Sequence, residues 1–340
     1  MSRPTSRPAA QGLSVEDWLK THCLAVTGGR GALGRRLVRR LAASGAARVV
    51  AIDSRSPASS DPVEQASAVD HVTADILDVD EMARSLSGCS VVFHLAALTN
   101  AAESVAESER YFEINARGSV LLMEACAKAG VRQVIYTSTS LVYGIPLRLP
   151  IDEDHPTDPL TPYAASKLAG ERAVADYASH GGGTGDIARL ANLYGASYSS
   201  DTAVGVALNQ ALHGGPISLR NLAGVRDFIH ADDVVEALVH LAAAPQGAGE
   251  CRVVNISTGI EASVLEVARA IAEAAEEQGM GYPDIVQSGE PSDGAAPRIV
   301  LDNRRLAQLT GRTPRFNLAQ GLATALSECK AESAARAIAG

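Results

Sequence analysis

Cysteine is scarce and unpatterned in this chain. Five occur among 340 residues, at Cys23, Cys89, Cys126, Cys251 and Cys329, with no CxxC pair and no Cys/His cluster of metal-ligand spacing. That spacing offers neither a disulfide framework nor a metal site, and it fits a reducing cytoplasm. No run of 18 apolar residues occurs, so no membrane-spanning helix is expected. The opening MSRPTSRPAAQG carries arginines, but no apolar stretch of signal-peptide length follows it. Residues 1 to 12 therefore read as a mobile tail. Positive charge is also in the minority: 30 Lys+Arg against 39 Asp+Glu leave a net charge of −9. That is the wrong sign for attraction to nucleic acid or an anionic membrane, and neither is an expected partner.

The chain does have ample core-forming material, 46% of it hydrophobic and 20% charged, which excludes disorder and collagen-like repetition. After a short helix expected at SVEDWLK, with Ser14 as N-cap, short apolar runs alternate with segments of helical period. LAVTG is followed by RRLVRRLAASG, then RVVAID, EMARSLSG, SVVFHLAA, an amphipathic stretch from Ser104 to Ala129, QVIYTST, and a helix from about Tyr163 to Tyr177. Continuous Val/Ile/Leu runs are the mark of strands buried on both faces, and the right-handed crossover rule turns a βαβα rhythm into a doubly wound parallel sheet. The expected fold is α/β, a Rossmann-type sheet with a smaller C-terminal substrate-binding lobe. The boundaries read as a tail and short helix over 1–20, a dinucleotide-binding domain over 21–190 that also receives about 226–258, and a lobe made of 191–225 and 259–340. HGGGTG at 180–185 reads as a flexible surface loop.

The first strand-to-helix turn is TGGRGALG, in which Gly28, Gly31 and Gly34 are spaced three apart around Ala32 and Leu33. Backbone amides at such a helix start can face a pyrophosphate that no side chain crowds. Asp53 ends the second strand 19 residues after Gly34, where a carboxylate accepts the adenosine ribose diol and repels a 2′-phosphate. NAD is favoured over NADP on that ground, although Arg30 and Arg55 are close enough in sequence to offer a phosphate positive charge, or are simply solvated. Asp75 and Ile76 in TADILD follow the third strand at the expected adenine edge, where Asp75 is equally read as a turn cap. Ala96 and Ala97 in FHLAA are small enough to let the cofactor approach the backbone. His94 reads as a satisfied core histidine.

Tyr163 and Lys167 in PYAASK stand four apart behind Pro162, which suits a first helical turn, so both side chains leave one helix face. A cation beside a phenol favours the phenolate. Bringing a tyrosine from ~10 to near neutrality requires roughly 4 kcal/mol of differential stabilisation.

With these motifs in hand, the sequence resembles the extended short-chain dehydrogenase/reductases, and within them the NAD-dependent epimerase/dehydratase group acting on nucleotide sugars. The resemblance runs from about Leu24 to Leu322 through TGGRGALG, FHLAA, FEINARGSVLLMEAC, YTSTSLVYG, PYAASK, RLANLYG and VRDFIHADDVV, in family order. It implies Tyr163 as acid/base and Lys167 as the group that bridges the nicotinamide ribose and lowers the tyrosine pKa. It implies a partner hydroxyl at Thr139, four residues before Tyr143, with Ser138 as the neighbouring candidate. It implies Asn115 on the cofactor side, and Asn192 and Arg226 on the substrate, the arginine pairing with a diphosphate. Their structural alternatives are a turn residue for Asn192 and an ion pair of Arg226 with Asp227 or Asp232. It also implies a homodimer through the helices around 104–129 and 163–179.

Two departures narrow the chemistry. The dehydratases and decarboxylases of the family carry an acid before VYG, whereas Ser140 and Leu141 stand here, and leucine moves no proton. What remains is hydride transfer at a carbinol, giving a 4-epimerase if the hydride returns to the other face of the ketone, or a dehydrogenase/ketoreductase if ketone and cofactor exchange. A non-enzymatic NAD-binding regulator is a third reading, opposed by the presence of both Tyr163 and Lys167. In place of an RPGD segment the chain has EPSDGAAPR, leaving Arg298 as the nearby cation for a phosphate, or as a solvated turn residue.

Overall fold

The computed structural model describes residues 13–56, 68–195, 202–289 and 298–339. The expected tail over 1–12 and the EPSDGAAP segment lie outside them. In chain order the strands are β1 (Cys23–Thr27), β2 (Arg48–Asp53), β3 (Val69–Thr73), β4 (Val91–His94), β5 (Gln133–Thr139), β6 (Thr184–Leu190), β7 (Asn192–Tyr194), β8 (Ile217–Leu219), β9 (Val225–His230), β10 (Cys251–Ile256), β11 (Glu261–Ser263) and β12 (Ile285–Gln287). The helices are α1 (Val15–Lys20), α2 (Ala32–Ala43), α3 (Val79–Ser85), α4 (Glu103–Ala106), α5 (Ser108–Tyr111), α6 (Gly118–Ala129), α7 (Pro162–Ser179), α8 (Ala203–Leu212), α9 (Ala231–Ala243), α10 (Val264–Glu277), α11 (Arg304–Thr310) and α12 (Leu318–Ala339).

Seven strands form one sheet in the order β10-β6-β5-β4-β1-β2-β3, and every pairing in it is parallel. Their apolar runs are buried because helices cover both faces. Leu37, Val38, Leu41, Val234 and Leu238 of α2 and α9 pack on one side, and Met82, Leu122, Cys126 and Val174 of α3, α6 and α7 on the other. Ser14 caps α1 through the Asp17 amide, 3.1 Å away. The chain builds outward from β1 through β2 and β3, then crosses back to β4 on the other side of β1. This reversal leaves a crevice at the carboxyl ends of β1 and β4, the usual ligand position in an open α/β sheet.

Two expectations need correction. VRDFIH does not return to the main sheet: β9 pairs parallel with β7 and antiparallel with β11 in a separate three-stranded sheet. Phe228 faces the lobe core and Ile229 the main core, so the strand is apolar on both faces wherever it sits, and its pattern does not say which sheet it joins. HGGGTG is tightly held, with the Gly182 amide donating to the Tyr177 carbonyl and the Thr184 amide to the Arg132 carbonyl, at 3.0 and 2.9 Å. A Cβ on Gly183 would lie 2.3 Å from the Arg132 oxygen, so glycine here permits close chain contact and Thr184 already begins β6. The amphipathic stretch from Ser104 to Ala129 is built of several pieces: α4 and α5 lead into a π-helical turn, Phe112–Arg117, before α6.

The second lobe gathers α8, α10 and α12 around Leu208, Val267, Ile271, Leu322 and Leu326. The β7–β9–β11 sheet and the β8–β12 pair connect it to the main sheet's carboxyl edge.

Candidate active site

The glycine turn takes its shape from two close approaches. Gly28 has φ +71°, and a Cβ there would meet the Ala96 backbone nitrogen at 2.8 Å. A Cβ on Gly34 would lie 2.0 Å from the Gly28 oxygen, so only glycine lets the start of α2 sit this close to β1. Gly31 is the N-cap of α2 and has no side chain with which to cap it. The first-turn amides thus remain available to an anion, with the helix dipole behind them. Gly28, Gly31, Ala32, Leu33 and Gly34 line a cleft of about 590 Å³. Asp53, Asp75, Ile76, Ala96, Ala97, Ser138, Tyr163 and Lys167 line the same cleft.

Asp53 ends β2 on the wall of this cleft. Burial pushes its carboxyl up, but the Arg55 guanidinium and two backbone amides outweigh that and hold it below the usual carboxylate value. Asp75 lines the cleft, and its Oδ1 accepts the Leu77 amide at 3.0 Å, the turn-capping contact. Asn115 is buried in the π-helical turn, where its Oδ1 accepts the Leu98 amide at 2.8 Å and its Nδ2 donates to the Leu98 carbonyl at 2.9 Å and to Ser166 Oγ at 3.0 Å. It ties the loop after β4 to the residue preceding Lys167, and its neighbour Ile114, not Asn115 itself, lines the cleft. His94 is satisfied in the core by Thr27 Oγ1 and Ser119 Oγ, at 2.9 and 3.0 Å.

Helix α7 carries the acid/base pair. Thr161 Oγ1 caps it by accepting the Ala164 amide at 3.2 Å, and Pro162 begins its first turn. The Tyr163 amide donates to Ser104 Oγ at 3.1 Å, and its ring meets Tyr111 edge-on, with centroids 6.4 Å apart. Lys167 is buried one turn on, its Nζ 4.1 Å from the Tyr136 ring centroid. Burial lowers its pKa to about 7, against a smaller opposing effect of Glu171. In the protein alone, then, the lysine proton is weakly held, whereas the spacing argument assumed a constant ammonium.

A second cleft of about 830 Å³ opens beside the first, and Tyr163 and Ser138 line both. Thr139, Asn192, Arg220, Asn221 and Arg226 line the second. Thr139 Oγ1 accepts the Leu141 amide at 3.3 Å. Ser138 Oγ donates to Glu171 Oε1 at 2.5 Å. Among the described lining residues of this cleft there are two arginines and no carboxylate. Arg226 donates to the Val225 carbonyl at 2.8 Å. Its two proposed acidic partners are engaged elsewhere, Asp232 with Arg36 and Asp227 with Thr258 and the Gly259 amide. Arg298 lines neither cleft and pairs with Glu261 on the surface.

Three participants escaped the sequence reading. Glu171 extends the i, i+4 ladder from Tyr163 and Lys167 by one step, a signal that was available. Its bidentate partner Arg189, at 3.0 and 2.7 Å from β6, is a pairing that only the sheet brings together. Arg220 follows β8 with no motif to mark it.

The family model described as the NAD dependent epimerase/dehydratase family matches residues 24–257. A UDP-glucose 4-epimerase of Mycolicibacterium smegmatis is 36% identical over 312 residues, covering 88% of this chain and 95% of that protein. The structure of MoeE5 in complex with UDP-glucuronic acid and NAD superimposes with a TM-score of 0.79 at 31% identity, over 92% of this chain and 99% of the other. A UDP-glucose 4-epimerase from Thermotoga maritima, solved with UDP-glucose, gives 0.79 at 29% identity over 92% and 99%.

Proposed function

We propose that this chain, which belongs to the NAD dependent epimerase/dehydratase family, is a nucleotide-sugar 4-epimerase acting on a UDP-hexose with NAD kept bound. The observation that carries the reading is the position of Tyr163 on the wall common to both clefts, with Lys167 one turn along the same helix face. The residues fit a dinucleotide: the uncapped start of α2 suits a pyrophosphate, Asp53 an adenosine ribose, and Lys167 a nicotinamide ribose. The chemistry that NAD supplies when bound is acceptance of a hydride from C4 of the sugar and its return to the opposite face. Tyr163, as phenolate, takes the proton of the C4 hydroxyl and later gives it back to the ketone oxygen. Thr139 is the hydroxyl that hydrogen-bonds the same oxygen. Lys167 in its ammonium form lowers the cost of the phenolate. Arg226 and Arg220, in a cleft with no carboxylate among its described lining, suit a diphosphate, and Asn192 a sugar hydroxyl. Ser140 and Leu141 offer no acid for water elimination after oxidation, which supports epimerisation over dehydration.

The same reading places the enzyme in a reducing cytoplasm, which its five thiols suit, and pairs it with a second copy through α4 to α7. Release of the ketone to solvent would make it a dehydrogenase instead, and the experiment separates the two. Wild type incubated with UDP-galactose converts it to UDP-glucose with no added cofactor and no accumulation of NADH. Tyr163→Phe retains its bound NAD and loses activity by about three orders of magnitude. Full activity in Tyr163→Phe, or turnover only with added coenzyme, contradicts the reading.

A further inference from the structure

We propose that Arg55 is the coenzyme-specificity residue of this enzyme, and that with Asp53 it forms a neutral pair admitting both NAD and its 2′-phosphorylated form. The inference rests on the dinucleotide cleft described above. Asp53 Oδ1 accepts the Arg55 amide at 3.1 Å and Arg55 Nε at 2.9 Å. Its Oδ2 accepts the Arg30 amide at 3.0 Å and Arg55 Nη2 at 2.9 Å. A carboxylate offers about four acceptor positions, and four donors occupy them. A ribose diol therefore reaches Asp53 only by displacing the guanidinium fork, while the two backbone donors stay.

That displacement costs little. The Arg55 side chain is 63% exposed, so its guanidinium can swing into solvent without leaving a buried charge of its own, while the Arg30 and Arg55 amides keep the 6%-exposed Asp53 carboxylate hydrogen-bonded. Arg30 cannot take the same role, because its Nη1 donates to the carbonyls of Asp53, Arg55 and Val72 and to Thr73 Oγ1, which fastens it beneath the turn. The displaced Arg55 fork remains at the mouth of the cleft it lines, beside the 2′ position. Of the other charged groups lining the cleft, Asp75 accepts the Leu77 amide and Arg110 pairs with Glu107. A 2′-hydroxyl would donate to Asp53. A 2′-phosphate would be repelled by Asp53 but held by the planar fork of Arg55, a geometry suited to bidentate phosphate contact. The acid that by itself would reject the phosphorylated coenzyme is thus neutralised by the next residue but one.

The test is direct binding, by calorimetry, of NAD+ and NADP+ to the full chain stripped of co-purified nucleotide. Wild type should bind NADP+ within about tenfold of NAD+. Arg55→Leu should weaken NADP+ by about tenfold to a hundredfold while leaving NAD+ within about threefold, the scale of one charge-assisted phosphate contact. Arg55→Lys, which keeps the charge without the fork, should fall between them, and guards against misfolding of a single variant. Equal weakening of both coenzymes by Arg55→Leu would show that the guanidinium serves the adenosine common to both, and would overturn the proposal. So would NADP+ binding unchanged in Arg55→Leu, or a wild type that binds NAD+ alone. Failure of wild type to bind either coenzyme would instead overturn the dinucleotide assignment, and this proposal with it.

Discussion

At the scale of single residues, the pair at the centre of the site has a thermodynamic signature. Unfolded, Lys167 keeps its proton up to its ordinary value of 10.5, and folded it keeps it only to about 7. Between those limits the unfolded state binds more protons, so this lysine makes the protein more stable as pH rises from about 7 toward 10. Below 7 both states are protonated, and the full cost of burying the ammonium is present. Lys167→Met removes the cost. Urea unfolding should show the variant more stable than wild type by a few kcal/mol at pH 7 or below, with the gap closing by pH 10. A gap independent of pH would mean that the ammonium is compensated in the fold. This was out of reach of the sequence, since the spacing of Tyr163 and Lys167 announces one helix face but not that the face is dry. Glycines fared better. Gly34 was legible because the contact it permits, to the Gly28 carbonyl, belongs to a local strand-turn-helix unit, and Gly28 was legible by its spacing in that unit although the Ala96 backbone it approaches follows β4. Arg298 fared worse: it was weighed as a phosphate cation from its place in the sequence, and its pairing with Glu261 is 37 residues distant in the chain.

At the scale of elements, α7 is held to the sheet by charge as well as by apolar packing. Glu171 and Arg189 are both buried, their fork joins α7 to β6, and Ser138 attaches the end of β5 to the same carboxylate. The Arg189 guanidinium also lies 4.7 Å from the Tyr143 ring centroid, which brings in the turn after β5. Removing one member of such a pair strands the other charge. Glu171→Gln should cost about 3–5 kcal/mol in chemical denaturation, and Glu171→Gln combined with Arg189→Met should recover most of it. Equal destabilisation in single and double variants would show that packing, not charge, is what α7 loses. The strands of the main sheet and α7 were readable from apolar runs and from Pro162, because period and cap are properties of the local chain. The π-helical turn at Phe112–Arg117 was not, because one extra residue in a turn leaves the apolar stripe nearly intact while rotating what precedes it. Nor was the sheet that β9 joins, which is decided by partners far away in the chain.

At the scale of the whole molecule, the face formed by α4, the π-helical turn and α6 exposes Val105, Phe112 and Val120, at 69%, 42% and 54%. We propose that a second copy of the chain covers these three exposed apolar side chains, as the homodimer implied by the family resemblance would. Light scattering should give twice the chain mass of 35.2 kDa, and Val120→Asp should halve it. A monomeric wild type, or a Val120→Asp protein that stays dimeric, would place the contact elsewhere or remove it. The overall arrangement, a parallel sheet with a smaller lobe at its carboxyl edge, followed from the alternation of strands and helices. The lack of carboxylates among the described lining residues of the second cleft did not, since Asn192, Arg220 and Arg226 converge there from β7, the β8–β9 turn and β9.

The return of hydride to the same carbon is tested most directly by the fate of deuterium placed at C4 of UDP-galactose. In wild type carrying its own NAD, the predicted UDP-glucose keeps the label at C4, with none passed to added NAD or to water. Loss of the label to the coenzyme pool or to solvent would contradict a hydride that leaves and returns within one closed site.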